Sequence, residues 1–291
     1  MSSISDTIMR AMENSGGRPS SETLKLAAGE ARFHFQRLCF LLLSPYHFAR
    51  TFRHLQSLSF EQKTVMIGRT LLGLLRKLAS WSEFEPPVQT AGGGGGGAGC
   101  GLRDFDAGIL LLLIFEVFEQ DEESDLEGGR KLTSPADWQG RLREHCAPNV
   151  LSLGGFGLDY WSVLRWYVDV VGRYERVWRA SIGLLGNGGG GEKAVRSAPA
   201  SVATVVSLEE VAVVEEGEEC VVCWEEMGGW AGGGCRLACG HVFHVGCIVG
   251  WLKKASTCPV CRFELPTDDV ALEIDRLRRV LADRSRHTCL S

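Results

Sequence analysis

The sequence predicts two domains of different class. An all-α domain covers residues 21–185, a small α+β metal-bound domain covers 220–262, and a flexible glycine-rich and acidic linker joins them. Three observations predict it. Apolar residues recur at helical spacing between Leu24 and Leu185, behind N-terminal cap signals. Eight cysteines and histidines stand at metal-ligand spacing between Cys220 and Cys261. Between these regions, glycines and then glutamates replace any periodic pattern.

A chain of 291 residues suffices for one large domain or two small ones, and 45% hydrophobic content can build a core. The net charge of −5 is uneven. Residues 1–206 hold 22 Lys+Arg and 22 Asp+Glu, residues 207–219 hold six Glu and no base, and residues 220–291 hold nine Lys+Arg and eight Asp+Glu. No block is strongly basic, which leaves broad nucleic-acid binding without electrostatic support.

Six of the 11 cysteines belong to the ligand series. The others, Cys39, Cys100, Cys146, Cys235 and Cys289, are scattered and odd in number, which fits a reducing, cytosolic compartment better than secretion. Residues 1–23 are polar, include Asp6 and Glu13, and lack a signal-peptide pattern. The longest apolar run, Ile109 to Phe118, is broken by Glu116 and is too short to span a bilayer, so it reads as a buried helix and no transmembrane segment is expected.

In chain order, residues 1–20 read as disordered. A first helix begins near Ser21, with Leu24, Ala27, Ala31, Phe35, Leu38 and Leu42 on one face. Ser44-Pro45 restarts the chain, Ser as N-cap and Pro at the first helical position. Ser59-Phe60-Glu61-Gln62 has the capping-box form and opens a helix through Ile67, Leu71, Leu74 and Leu78. Residues 86–101, with Pro86-Pro87 and Gly92–Gly97, form a flexible insert; no Lys-Ser or Lys-Thr follows the glycines, so this is not a phosphate loop. Helix returns from Leu102 to Glu119, and the acidic residues Asp121, Glu122, Glu123 and Asp125 read as a solvated loop. Ser134-Pro135-Ala136-Asp137 starts another helix, and Asp159–Leu185 is a long one whose aromatic residues, among them Tyr174 and Trp178, belong to the core. His34, His47, His54 and His145 read as surface or packing histidines.

The connector 186–219 begins in glycine and ends in glutamate. Val202–Val214 alternates weakly and could pair as a strand, and the six glutamates from Glu209 to Glu219 could contact a basic partner; a solvated, extending linker is the preferred reading. After the metal series, Val270, Ile274, Leu277 and Leu281 share one face of a helix over Asp268–Ala282, packing on the small domain or, alternatively, forming a short dimer seam.

The ligand series is Cys220-x2-Cys223, Cys239-x-His241-x2-His244-x2-Cys247 and Cys258-x2-Cys261. A Cys-x2-Cys knuckle turns two thiolates toward one ion, and tetrahedral zinc takes four ligands, so eight imply two zinc ions. The rival reading is buried cysteines with incidental histidines, and three paired clusters in order argue against it. Cys235 reads as a non-ligand, because its use would lengthen the one-residue gap before His241 to five. Leu237, Phe243 and Ile248 would pack between the ions, and Val245–Leu252 reads as a short helix carrying Trp251. So small a domain needs its metals to fold.

The order of these ligands, with its short Cys-x-His-x2-His-x2-Cys centre, resembles a RING finger of the RING-H2 type. The resemblance implies an interleaved cross-brace. Cys220, Cys223, His244 and Cys247 would hold one ion, and Cys239, His241, Cys258 and Cys261 the other. It also implies an E3 ubiquitin ligase whose partners are a ubiquitin-charged conjugating enzyme and a protein substrate. Val222, Trp251 and Pro259 match that family's apolar enzyme-binding groove. Trp251 alone could instead be core, and Pro259 alone a rigid turn. Arg262 matches the cationic catalytic position after the last ligand. Such a ligase supplies no nucleophile; it orients the charged enzyme so that a substrate lysine attacks.

A second set of residues, LSPYHFARTFRHLQSLSFEQKTVMIGRTLLGLL (43–75) and LRDFDAGILLLL (102–113), resembles plant RING-H2 ligases of the amyloplast-associated, shoot gravitropism nine type. This implies peripheral association with a plastid surface. Asp6 and Glu13 make a poor transit peptide, so the expected location is cytoplasmic, on the organelle's cytosolic face, with the helical domain recruiting substrate or organelle. Two rival classes stand beside the ligase: a RING-bearing scaffold without ligase activity, opposed by Trp251 and Arg262, and a nucleic-acid-binding zinc module, opposed by the near-zero charge of 220–291.

Overall fold

The computed structural model describes residues 21–81, 102–124, 134–153, 160–186, 197–211, 218–227 and 234–287. The expectations for residues 1–20, for the glycine insert 86–101 and for the glycine run after Gly186 lie outside them. The described residues fall into two compact units, one of 21–186 with 277–287, the other of 197–276.

The first unit is all-α: α1 (Ser21–Leu43), α2 (Pro45–Ser57), α3 (Phe60–Trp81), α4 (Leu102–Ser124), α5 (Pro135–Leu153) and α6 (Tyr160–Gly186). Local signals set several of its boundaries. Ser59 and Gln62 form a reciprocal capping box, Gln62 N donating to Ser59 Oγ at 3.2 Å and Ser59 N to Gln62 Oε1 at 2.9 Å. Ser134 and Asp137 repeat it at α5, where Asp137 N donates to Ser134 Oγ at 3.1 Å. Ser44 stands at the N-cap of α2, but its hydroxyl makes no cap bond and lies 2.9 Å from His47 Nδ1.

The apolar run of α4 explains itself by position. Helix α4 touches all five other helices of the unit, and Ala107, Ile109–Leu113 and Val117 are buried. A helix with neighbours on every side is apolar all round. It also runs past the expected end at Glu119, carrying Asp121–Glu123 in its last turns to Ser124 rather than in a loop. Polar contacts clamp its edge: Glu116 pairs with Arg173 of α6 at 3.2 Å and lies 3.4 Å from His145 Nε2 of α5. Of the other histidines, His34 is buried with its ring 4.0 Å from that of Phe105.

The predicted face of α3 is the core face, with Ile67, Leu71, Leu74 and Leu78 all buried. It packs on α6 at a close approach, where a Cβ on Gly68 would stand 2.5 Å from a ring carbon of Trp178. A Cβ on Gly73 of the same helix would meet nothing within 4 Å. Gly73→Ala should therefore stabilise by about 0.5–1 kcal/mol through helix propensity. Gly68→Ala should destabilise by about 1–2 kcal/mol, overpacking outweighing that gain. Urea titration of the two variants checks the opposite signs.

The second unit is small and mixed: α7 (Val202–Val206), β1 (Glu209–Val211), β2 (Glu219–Cys220), β3 (Glu225–Glu226), β4 (Gly234–Arg236), β5 (Val242–His244), α8 (Val245–Leu252) and the start of α9 (Val270–His287). β2 and β3 form an antiparallel pair, and β1-β4-β5 an antiparallel sheet with Cys235 opposite both Glu210 and Phe243. The core is Leu237, Phe243, Ile248, Leu252, Leu265 and Met227 with the inward cysteines.

The linker reading is corrected here for residues 197–211. Ala200 N donates to Leu252 O at 2.9 Å, Ser201 N to Pro266 O at 2.8 Å, and Thr267 Oγ1 to Pro199 O at 2.7 Å. Ala200 joins the core, Ser201 caps α7, and β1 pairs with β4. The stretch is ordered by partners far along the chain, so its weak alternation only suggested the strand that β1 forms.

Helix α9 continues to His287, and Ile274, Leu277 and Leu281 are buried within the chain, which leaves little of that face for a dimer seam. Its first turn is tied down locally. Asp269 Oδ1 accepts from Leu272 N at 2.9 Å, and the buried Glu273 accepts from Thr267 N at 3.1 Å while holding Arg276 through two bonds. The boundary between the two units falls inside α9, between Arg276 and Leu277.

Candidate metal centre

Eight side chains gather into two groups. Cys220, Cys223, His244 and Cys247 form one, and Cys239, His241, Cys258 and Cys261 the other, with ligand atoms in each within 4.8 Å of one another. These are the interleaved sets that the resemblance implied. Secondary structure delivers them. Cys220 ends β2, Cys223 lies in the turn before β3, His244 ends β5, and Cys247 sits in the first turn of α8. Gly240 makes the turn between Cys239 and His241 possible, with φ at +87°, its N–H donating to Leu237 O at 2.8 Å.

The donor sets fit zinc. Each is three sulfurs and one nitrogen, the soft tetrahedral combination. Both histidines present Nδ1: His244 Nδ1 is 3.3 Å from Cys223 Sγ, and His241 Nδ1 is 3.4 Å from Cys239 Sγ. A zinc tetrahedron with bonds of about 2.3 Å to sulfur and about 2.0 Å to nitrogen has S···N edges of about 3.5 Å. These contacts are edges of a coordination shell rather than ordinary hydrogen bonds, and the finger takes one zinc ion in each set.

The family model of the Ring finger domain matches residues 218–262. A relative that matches far beyond the finger is E3 ubiquitin-protein ligase SGR9, amyloplastic, of Arabidopsis thaliana, 34% identical over 270 residues, 87% of this chain and 86% of that protein. The chain belongs to the RING-type E3 ubiquitin ligases. Other relatives of the ligase share mainly the finger. RNF181 of Danio rerio is 40% identical over 82 residues, 26% of this chain and 50% of that protein. CIP8 of Arabidopsis thaliana is 48% identical over 60 residues, 20% of this chain and 18% of that protein.

The two Cys-x2-Cys knuckles of the ligase fold alike. Trp224 N donates to Cys220 O at 2.7 Å, and Arg262 N to Cys258 O at 3.0 Å, so the residue after each second cysteine closes the turn. Both closing residues take the left-handed region, Trp224 at φ 61° and Arg262 at φ 59°. A side chain there costs backbone energy; Arg262 is exposed, and Trp224 is 74% exposed.

Val222 is half-buried and packs on the finger core, and Pro259 is half-buried in the second knuckle. Trp251 is not core: it is 38% exposed, and its indole N–H donates to Thr257 O at 2.8 Å. The structure adds exposed apolar residues that the sequence reading passed over, Val221, Val260 and Phe263. Their signal was available, since each is an apolar residue within or beside a knuckle too small to bury it.

As thiols alone, the ligands are in conflict. Burial pushes Cys239 and Cys247 up to about 11, and the neighbouring cysteines of each set push the same way. At Cys220 burial also raises the thiol, but hydrogen bonds from His244, Val222 and Cys223 outweigh it and bring the thiol down to about 7. A divalent cation removes the conflict, because it binds thiolates and offsets their mutual repulsion.

Cys235 stands apart from both sets. It is buried in the middle of the three-stranded sheet, and burial, with Glu210 opposite, raises its thiol. Cys235→Val should keep two zinc ions per chain by elemental analysis, and one ion fewer would make Cys235 a ligand.

Proposed function

We propose that this ligase binds a ubiquitin-charged conjugating enzyme on the finger surface of Val222, Trp251 and Pro259, and promotes direct transfer to a substrate lysine. The observation that carries the reading is the setting of Trp251. Its helix neighbours Ile248 and Leu252 are buried in the core, while its own ring stays at the surface, held by the bond to Thr257. An aromatic side chain fixed and exposed is an anchor that loses little entropy on binding.

Zinc supplies folding energy when bound and takes no part in the transfer. The lysine amine attacks the thioester carbonyl of the charged enzyme, whose thiol leaves. Arg262 assists by bridging carbonyls of enzyme and ubiquitin with its planar fork, which holds ubiquitin in one pose. Discharge of ubiquitin from a charged conjugating enzyme to free lysine, with the full chain present or omitted, tests the activity.

The helical unit brings the finger to its place of work, by recruiting substrate or an organelle. The relative over most of the chain is named amyloplastic, and among the described residues no helix is long and apolar enough to cross a membrane. A peripheral position on the cytosolic face of plastids, where charged conjugating enzymes are found, is consistent with both. Protease added to intact plastids should destroy the ligase; full protection would place it inside and refute this reading.

A further inference from the structure

We propose that the exposed faces of α1 and α2 dock on the headgroup layer of an anionic lipid bilayer. This rests on the reading of the helical unit as the organelle-recruiting part. The first observation is charge. Residues 31–60 contain Arg32, Arg37, Arg50 and Arg53 with three histidines, and no Asp or Glu. Arg37 pairs with Asp106 at the half-buried edge of this surface. Arg32, Arg50 and Arg53 are exposed and have no carboxylate partner among the described residues.

The second observation is apolar exposure on the same faces. Phe33, Phe40 and Leu43 follow one another round the solvent side of α1, with Leu43 64% exposed, and Tyr46 opens α2 at 70% exposed. The two faces are continuous. The rings of Phe40 and His47 lie 4.9 Å apart, and that of Tyr46 meets His47 edge-on at 5.3 Å. Beneath them Phe48, Phe52 and Leu55 form the buried side of α2, so the exposed set is not spare core.

The partner is chosen by charge complementarity and depth. Protein interfaces also enrich arginine and aromatic residues, so what selects a bilayer is exposed arginines with no carboxylate over residues 31–60, which match an anionic layer. Here Arg32 adjoins Phe33, and Arg50 lies one helical turn from Tyr46. A bilayer surface stacks its apolar and anionic layers at successive depths, so short rings reach the acyl boundary while longer guanidiniums lie at the phosphates.

The experiment is sedimentation of the full chain with vesicles of phosphatidylcholine alone, or of phosphatidylcholine mixed with phosphatidylglycerol. Binding is expected to the mixed vesicles and to fall with added salt. Each exposed arginine contributes about fivefold, so Arg50→Gln with Arg53→Gln should weaken binding about twenty-five-fold. Leu43→Ser with Tyr46→Ser should weaken it at least tenfold. Circular dichroism and ubiquitin discharge should be unchanged in both variants, because all four side chains are exposed and outside the finger. Equal binding to both vesicle types, or full retention by the Leu43/Tyr46 variant, overturns the proposal. A parallel arm uses intact plastids. A chain that sediments with plastids but not with mixed vesicles overturns lipid docking alone, while one that binds mixed vesicles but not plastids overturns the organelle reading alone.

Discussion

A strong chelator should unfold the finger of this ligase and leave helices α1–α6 standing. The finger's buried core is about ten residues, and its own helix, Val245–Leu252, has eight. Such a core supplies only a few kcal/mol, whereas zinc at a structural site contributes about 10–16 kcal/mol at neutral pH. The helical unit has an independent core, from Leu38 to Trp178, with no metal-ligand cluster among its described residues. Far-UV circular dichroism should therefore lose a small fraction of its helical signal, while elemental analysis shows two ions lost. Loss of most of the helical signal would refute two separately stabilised units. Acid should act as the chelator does. Cys239 and Cys247, at about 11 without metal, must give up protons to bind zinc, so zinc binding releases protons and weakens as pH falls.

Arg262→Ala should separate folding from catalysis. Arg262 is exposed and holds no ligand position, and its backbone N–H, not its side chain, closes the knuckle onto Cys258. Alanine keeps that bond and bears a similar left-handed backbone cost, so both ions should stay bound. On the proposed role, the variant should lose a charge-assisted bridge worth about 1.5–3 kcal/mol, or about ten- to a hundredfold in ubiquitin discharge. Affinity for the uncharged conjugating enzyme should change little. Trp251→Ala should do the reverse and weaken that affinity itself, since it removes the anchor and its bond to Thr257. Lysine-discharge kinetics beside a titration of uncharged enzyme read both. Wild-type discharge by the arginine variant would end the role assigned to it.

Much of this molecule was written locally. The ligand set followed from short spacings and its interleaved pairing from the family resemblance, and the structure assembles the same two sets of four. The Ser59–Gln62 capping box and the buried face of α3 depend on residues three or four apart, which is the range that periodicity reads. The span Val245–Leu252 was legible for the same reason.

Local pattern placed most of the long helices and the metal-ligand set, and with the family resemblance marked a catalytic-class finger. Distant contacts settled the rest. Glu209–Val211 is a strand only because Gly234–Arg236 lies beside it, and residues 197–201 are ordered by carbonyls and a hydroxyl at 252, 266 and 267. Gly68 matters because Trp178, over a hundred residues on, packs against it. Asp121–Glu123 looked like a loop by composition, yet the helix of α4 carries them. Whether Trp251 is core or surface, and whether Phe40 and Tyr46 share one exposed face, turned on which side of each helix its neighbours cover. Local preference is worth tenths of a kcal/mol per residue and repeats along the chain, whereas pairing and burial are settled by partners distant in sequence.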